Sequence, residues 1–298
     1  MAVKLSIAMP SHRNYRDSYD SIYAAEQWCA NTPKRNIFLS DNSGDDSKKR
    51  AYGRDVPPCS MMDNFLHAFN RTDGNYVLLM QDDDKIFSLS DGNINVTKDV
   101  VGIIPHIQAF TPDMGVIKAY SIPNPHETAT QRVQEYAYNN GGSNLALFGF
   151  WRRDVLGSLL RLWAQHPLQP AYGDWAIVYA LMSSGKVMRD PSTVYFKNIS
   201  NWAGTAEEVS EEKGKLFRAS GVEHMLPYIT LLQAIDSFIF IMRKDSPIPY
   251  LERYGAATTC LSPYTFEQVM AVLEENNLGD QYREFFKHAI GEEWPCRP

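Results

Sequence analysis

A chain of 298 residues can bury a sizeable core, as one large domain or one domain with a smaller appendage. An apolar fraction of 44% with 21% charged residues is that of an ordinary globular protein and excludes a disordered or fibrous one. The net charge of −6 and the scatter of the basic residues exclude a broad nucleic-acid surface, and the basic run Lys48-Lys49-Arg50 reads as a solvated face.

Four cysteines, Cys29, Cys59, Cys260 and Cys296, lie far apart with no CxxC and no histidine at zinc-ligand spacing. Cys29 falls in a helical pattern and reads as a small buried hydrophobe, and a reducing compartment is the simpler inference. The N-terminus runs into a strand pattern without the apolar region of a signal peptide. The longest apolar segment, Tyr228 to Met242, contains Gln233 and Asp236 and is shorter than the roughly 20 residues a bilayer needs. The expectation is a cytoplasmic protein with no transmembrane segment.

In chain order, Leu5 to Met9 is a strand ended by Pro10, and a polar loop over Pro10-Ser11-His12-Arg13-Asn14 follows. The next segment is helical, with Tyr19, Ile22, Tyr23, Trp28 and Cys29 approximating one apolar stripe. Asn36 to Ser40 is a second strand, and Asp41-Asn42-Ser43-Gly44 follows it, so the first forty residues form a βαβ unit. Met61, Met62, Phe65, Leu66 and Phe69 share one face of a helix. After Asp84 the chain to Asn95 is turn-rich, Lys98 to Phe110 is expected as a helix, and Met114 to Tyr120 as a strand. Pro123 to Gly142 reads as a polar loop and Leu145 to Phe150 as a return to the sheet. Asp154 can cap a helix running to Trp163. Tyr172-Gly173-Asp174-Trp175 opens another helix, which stops at Ser183-Ser184-Gly185. Val187-Met188 and Thr193 to Phe196 are strand candidates, and Lys197 to Trp202 is a loop. From about Thr205 the pattern is helical. Pro227 to Arg243 is apolar nearly all round, and Thr265 to Gln268 makes a capping box before a further amphipathic helix.

The stretch that organises this pattern is Tyr76 to Asp84, five apolar residues read as a strand buried on both faces, then Gln81-Asp82-Asp83-Asp84. On an extended chain Asp82 and Asp84 would face one side and Asp83 the other. Three adjacent anions repel unless a cation or several donors sit among them, and a hard divalent ion takes one or two carboxylates plus substrate phosphates. An acidic solvated turn is the alternative. In open α/β sheets ligands bind beyond the carboxyl ends of the strands, and three such ends carry polar groups: Pro10 to Arg13, Asp41 to Ser43, and Asp82 to Asp84.

With these residues in place the sequence resembles the family-2 glycosyltransferases of the GT-A fold. The resemblance lies in Ser6 to Ser11, Leu39 to Ser47, Tyr76 to Asp84 and Gly173-Asp174-Trp175-Ala176, and covers roughly residues 4 to 200. It implies an α/β GT-A fold, a Rossmann-like, mostly parallel sheet flanked by helices. With the helical pattern that begins at about Thr205, the expectation is a GT-A-like domain over 1–204 and, outside the resemblance, a helical extension over 205–298 with a packing, oligomer or acceptor role. The resemblance also implies a nucleotide-diphosphate sugar donor, Mn²⁺ or Mg²⁺, and inversion at the anomeric carbon. Carried onto this chain, Pro10 and Ser11 would flank the nucleotide, Asp41 would accept from the base, and Asp82 would lie near the ribose. Asp83 or Asp84 would ligate the metal, and Asp174 would be the general base that deprotonates the acceptor hydroxyl. The family's Asp-x-Asp often begins one residue earlier, where this chain has Gln81, and Gly173 stands where a Glu is usual.

The structural alternative for Asp174 is a helix N-cap alone. Trp202 could stack on an acceptor sugar or be a core or interface tryptophan. His12 and Arg13 could touch phosphate or lie in a solvated loop. Two other functions compete. A metal-dependent nucleotidyltransferase would want a glycine-rich loop after the first strand, and Pro10 to Asn14 has no glycine. A non-catalytic binding or assembly module could use the C-terminal helices as a homo-oligomer or partner interface. The acceptor, a glycan or a lipid-linked precursor, is not written in the sequence.

Overall fold

The computed structural model describes residues 3–52, 57, 59–90, 94–140, 143–168, 173–262, 264–292 and 294–295. Gly142, Tyr172, Cys296 and part of the turn-rich stretch before Asn95 lie outside them. The chain divides into two compact units. The first comprises Met1–Pro123, Leu145–Leu160 and Val187–Ala203, and the second comprises Asn124–Asn144, Arg161–Lys186 and Gly204–Pro298.

The first unit is built on a sheet with helices packed against it, an α/β fold. Its described strands are β1 (Leu5–Ser11), β2 (Arg35–Asp41), β3 (Tyr76–Leu79), β4 (Lys85–Ser88), β5 (Val100–Thr111), β6 (Gly115–Tyr120), β7 (Phe150–Arg152) and β8 (Lys186–Asn198). They run in the order β2-β1-β3-β7-β5-β8-β4, with β6 on β5. β1 pairs in parallel with both β2 and β3, whereas β3–β7, β5–β7, β5–β6 and β4–β8 are antiparallel. The chain therefore lays β2 on one side of β1 and β3 on the other. That reversal is the topological switch point at which open α/β sheets leave a crevice beyond their strand ends.

Helix α1 (Tyr15–Ala30) links β1 to β2 and is capped by Asn14, whose side chain accepts from the Asp17 N–H at 2.9 Å. Its buried stripe is Ser18, Ser21, Ile22, Ala25 and Trp28, not the tyrosine-containing stripe expected. Small residues let the helix approach the sheet closely, and the tyrosines ladder outside, with Tyr15–Tyr19 and Tyr19–Tyr23 rings 5.6 and 5.9 Å apart. A short helix α2 (Asp46–Tyr52) and helix α3 (Met61–Arg71) separate β2 from β3. α3 buries Met62, Phe65, Ala68 and Phe69 while Met61 stays exposed.

The helix expected over Lys98 to Phe110 is a strand instead. Val100, Val101, Ile103, Ile104 and Ile107 are β-branched, Pro105 cannot sit inside a helix, and Gly102 lies flat against the Trp151 ring. Conversely, the loop expected over 123 to 142 contains helix α4 (Ala129–Asn140), which buries Val133 and Tyr136 in an otherwise polar sequence. Leu145–Phe148 is a 3₁₀ turn before the short β7. Lys85 to Ser88 pairs with β8, so a strand occupies part of the region expected as turns. Helix α5 (Arg153–Trp163) follows β7.

The second unit is helical: α4, α6 (Gly173–Ser183), α7 (Ala206–Ala219), α8 (Ile229–Met242), α9 (Tyr250–Leu261), α10 (Phe266–Glu275) and α11 (Gly279–Ile290). α8 is its centre, packed on α6, α9, α10 and α11, with Leu232, Ile235, Ile239, Phe240 and Ile241 fully buried. With the preceding 3₁₀ turn, Glu223–Met242 is a helical run of 20 residues. Contrary to the sequence expectation, it is long and apolar enough to cross a membrane, yet most of it is buried among protein side chains. Buried Asp236 on α8 meets the buried His166 Nε2 at 3.0 Å. Arg132 on α4 donates to the Met182 carbonyl at 3.0 Å and the Ser183 carbonyl at 2.6 Å, closing the end of α6.

Candidate active site

The switch point of the first unit carries a chain of buried polar groups. β1 continues through Pro10 to Ser11, paired with Ser40 and Asp41 of β2, whereas its register with β3 ends at Ala8 and Leu79. Pro10 thus lies where one side of the strand is already an edge, and a missing N–H is tolerated there. Beyond β3 the chain turns, with the Asp84 N–H donating to the Gln81 carbonyl at 3.2 Å. This turn overrides the strand alternation expected for the three aspartates.

Asp82 is buried and closed. One oxygen accepts from the Ser11 hydroxyl at 2.6 Å, the His12 N–H at 3.1 Å and the Arg13 N–H at 3.0 Å. The other lies 3.3 Å from Arg13 Nε. Three donors on one carboxylate oxygen make a strong charge-assisted clamp, which ties the loop after β1 to the turn after β3. Asp83 emerges beside it, partly exposed, with its carboxylate 2.7 Å from Arg13 Nη2 and 3.4 Å from the Asn198 amide. Asp82 and Asp83 therefore share one guanidinium, where extended geometry would have set them apart.

Asp84 turns away toward β8. It is wholly buried, accepts from the Tyr195 hydroxyl and, at 2.8 Å, from the Asn198 N–H, and has Lys197 Nζ 3.3 Å from both oxygens. Burial pushes its carboxyl up to about 6 despite Lys197, and the neighbouring Asp83 charge adds to the rise. The same burial and the Asp84 charge hold the Tyr195 hydroxyl well above its ordinary range.

Asp41, at the end of β2, is also buried. Its carboxylate lies 3.2 Å from Lys48 Nζ and accepts from the Ser43 N–H at 3.1 Å. Lys48 is fully buried, so the basic run expected as a solvated face contributes one residue to the interior. Its ammonium donates to Ser11 Oγ and, at 2.9 Å, to the Arg13 carbonyl. The result is a continuous relay: Asp41, Lys48, Ser11, Asp82, Arg13, Asp83. Outside it, Asp45 accepts from the Tyr15 N–H at 2.6 Å and the Ser47 N–H at 2.8 Å, and these bonds hold its carboxyl below the usual range.

Asp174 belongs to the second unit. It sits in the first turn of α6, half-buried, accepts from the Trp175 N–H at 3.0 Å, and is held by the Asn144 side-chain amide. Gly173 before it packs against Trp163, and a Cβ there would come within 2.1 Å of the indole nitrogen. That contact gives a physical reason for the glycine in this chain. Trp202 is 44% exposed and is not a core residue.

Among the described residues no group of three or more His, Cys, Asp and Glu side chains is arranged to hold a metal alone. The described cysteines Cys29, Cys59 and Cys260 are free thiols. Of the residues that complete the site, Arg13 had a visible signal, a cation just past a strand end. Lys48, Tyr195, Lys197 and Asn198 had none, because only the folding of β2, α2 and β8 brings them to the aspartates.

No family model matches the sequence, and no curated protein matches it. The structure is similar to solved glycosyltransferase structures. Residues 1–349 of S. aureus TarS, in complex with UDP-GlcNAc, match at 12% identity and a TM-score of 0.45, over 96% of this chain and 81% of that one. The mannosyltransferase PcManGT from Pyrobaculum calidifontis, in complex with GDP-Man and Mn²⁺, matches at 9% identity and a TM-score of 0.45, over 96% and 82%. Mannosyl-3-phosphoglycerate synthase from Rubrobacter xylanophilus matches at 12% identity and a TM-score of 0.39, over 75% and 74%. Likenesses at this level carry no activity to the chain.

Proposed function

We propose that the chain is a glycosyltransferase, moving a sugar from a nucleotide-diphosphate sugar to an acceptor hydroxyl. The observation that carries this reading is the pairing, at the β1/β3 switch point, of a clamped loop with a partly exposed carboxylate and guanidinium: Asp82 fixes the loop, and Arg13 and Asp83 stand at its lip. A crevice beyond parallel strand ends is where such sheets take nucleotides. A diphosphate there meets the Arg13 fork, whose geometry suits phosphate oxygens.

A divalent cation fits this arrangement through Asp83. Asp82 and Asp84 have their oxygens engaged by protein donors, while Asp83 is the partly open carboxylate of the three. One carboxylate suffices, because Mg²⁺ is commonly held by one or two carboxylates together with substrate phosphates and waters. When bound, Mn²⁺ or Mg²⁺ supplies Lewis-acid stabilisation of the charge on the departing diphosphate. Asp84, with Tyr195 and Lys197, fixes the turn from behind. Ser11 and Pro10 shape the floor, and Asp41 acts there through Lys48. Asp174, oriented by Asn144 and the α6 N-terminus, takes the proton of the acceptor hydroxyl, and inversion follows from direct attack.

The test is binding and hydrolysis of a panel of UDP-, GDP- and dTDP-sugars with and without Mn²⁺. At least one sugar nucleotide is expected to bind more tightly with the metal, and Asp83→Asn to remove that metal dependence. Asp174→Asn is expected to keep donor binding and lose about 10²–10⁴-fold in transfer, the range of a general base. No binding by any member of the panel, in either condition, overturns the proposal.

A further inference from the structure

The helical unit carries a half-open cleft of about 300 Å³, at the small end of ligand-sized clefts and suited to one ring rather than a chain. α6 contributes Trp175 and Tyr179, four residues apart on one face, and Tyr264 adds a third aromatic ring. α8 contributes Thr230, Gln233 and Ser237, a polar stripe on a helix whose other residues, Asp236 apart, are apolar. None of the residues lining the cavity is Asp, Glu, Lys, Arg or His. Burial pushes the Cys260 thiol and the Tyr179 hydroxyl in its wall up to about 12, so both remain neutral near pH 7.

Two exclusions narrow the occupant. A charged ligand would lose its hydration and meet no counter-charge, which is strongly unfavourable. A wholly apolar ligand would leave the polar stripe without partners. Gln233 and Ser237 bring a carboxamide and a hydroxyl to the lining, and Ser237 is only 2% exposed. What satisfies both walls is an uncharged molecule with apolar C–H faces for the aromatic rings and hydroxyl groups around its rim for Gln, Ser and Thr. A pyranose ring has that distribution.

We infer that this cavity binds a neutral sugar ring, and, resting on the glycosyltransferase reading, that the ring belongs to the acceptor. Asp174 lies on the same helix, in the residue before Trp175. The acceptor class is then an uncharged glycan, not a phosphorylated or uronic acid acceptor.

The experiment is saturation-transfer NMR and titration calorimetry on the full chain. The probes are methyl glucoside, methyl mannoside and N-acetylglucosamine, against glucuronic acid, glucose 6-phosphate and adenosine. At least one neutral sugar is expected to bind, at least about tenfold more tightly than either acidic sugar or adenosine. Tyr179→Ala and Gln233→Leu are each expected to weaken it about tenfold while leaving sugar-nucleotide affinity unchanged. Gln233→Leu keeps the side-chain volume and helical preference, so it separates lost binding from lost folding, and circular dichroism checks both variants. Equal binding of acidic and neutral sugars overturns the inference, as does binding of adenosine alone. Absence of neutral-sugar binding in a chain that does bind a sugar nucleotide overturns it too, and leaves the proposed activity standing. Neutral-sugar binding lost in both variants, in a chain that binds no sugar nucleotide, upholds the sugar site and removes the acceptor role with the transferase reading.

Discussion

Replacing Lys48 with methionine tests the buried relay beneath the strand ends. Methionine keeps the length and most of the volume of the lysine stem but removes the ammonium, which lies 3.2 Å from the Asp41 carboxylate and donates to Ser11 and the Arg13 carbonyl. Both side chains of the ion pair are almost wholly enclosed, at 0% and 3% exposure. At an effective dielectric constant of about 20 the attraction over this distance is about 5 kcal/mol. Desolvation of two ions offsets most of that, so the pair as a whole contributes little. Breaking it is another matter: Lys48→Met leaves Asp41 buried with the Ser43 N–H and no counter-charge, and such lesions cost about 3–5 kcal/mol. Neutralising the second partner as well removes the stranded charge. The double variant Lys48→Met/Asp41→Asn is therefore expected to be more stable than Lys48→Met alone. Urea unfolding of the wild type, both single variants and the double variant gives the coupling energy directly, expected at about 2–3 kcal/mol. Additive single effects, or a Lys48→Met penalty below about 1 kcal/mol, would refute the idea that this lysine is buried to hold Asp41 and Ser11 in place.

Two further predictions concern the same architecture. The Asp84 carboxyl rises from 3.8 to about 6 on folding, so between those values the folded chain keeps a proton that the unfolded chain has released, and its stability falls as pH rises. Asp84→Asn cannot ionise, so the stability of the variant relative to wild type is expected to improve by roughly 2 kcal/mol between pH 4 and pH 7 in urea titrations; a constant difference, or one of opposite slope, contradicts this. Gly173→Ala would place a Cβ 2.1 Å from the buried Trp163 indole nitrogen, an overpacking expected to cost about 1–3 kcal/mol and to lower the thermal midpoint by several degrees. An unchanged midpoint would mean that the ring moves aside freely and that the contact does not explain the glycine.

Much of the first unit was legible because its signals are local. β1, β2 and β3 are short apolar runs bounded by turn residues, and α1 and α3 announce themselves by side chains recurring along one face. The errors also have local causes. Strand β5 contains apolar residues at spacings a helix would share, and Gly102 and Pro105 were the features that excluded one. Helix α4 carries a weak apolar signal, because Ala129, Arg132, Val133 and Tyr136 are its buried residues along a largely polar stretch. On α1 the large tyrosines drew the stripe toward themselves, although close packing on a sheet favoured the serines and alanines beside them.

The amino-acid order alone determined that carboxylates stand at the ends of two strands, β2 and β3, and that Asp174 opens a helix. Strand ends and helix starts are written in a few adjacent residues, and their chemistry travels with them. Only the tertiary structure decided which aspartate is spent on the protein and which remains open: Ser11 and Arg13 close on Asp82 across about seventy positions of sequence, and Tyr195, Lys197 and Asn198 close on Asp84 across more than a hundred. A carboxylate's role depends on the donors and charges that surround it in three dimensions, and neighbours brought together over such separations leave no spacing in the chain to read.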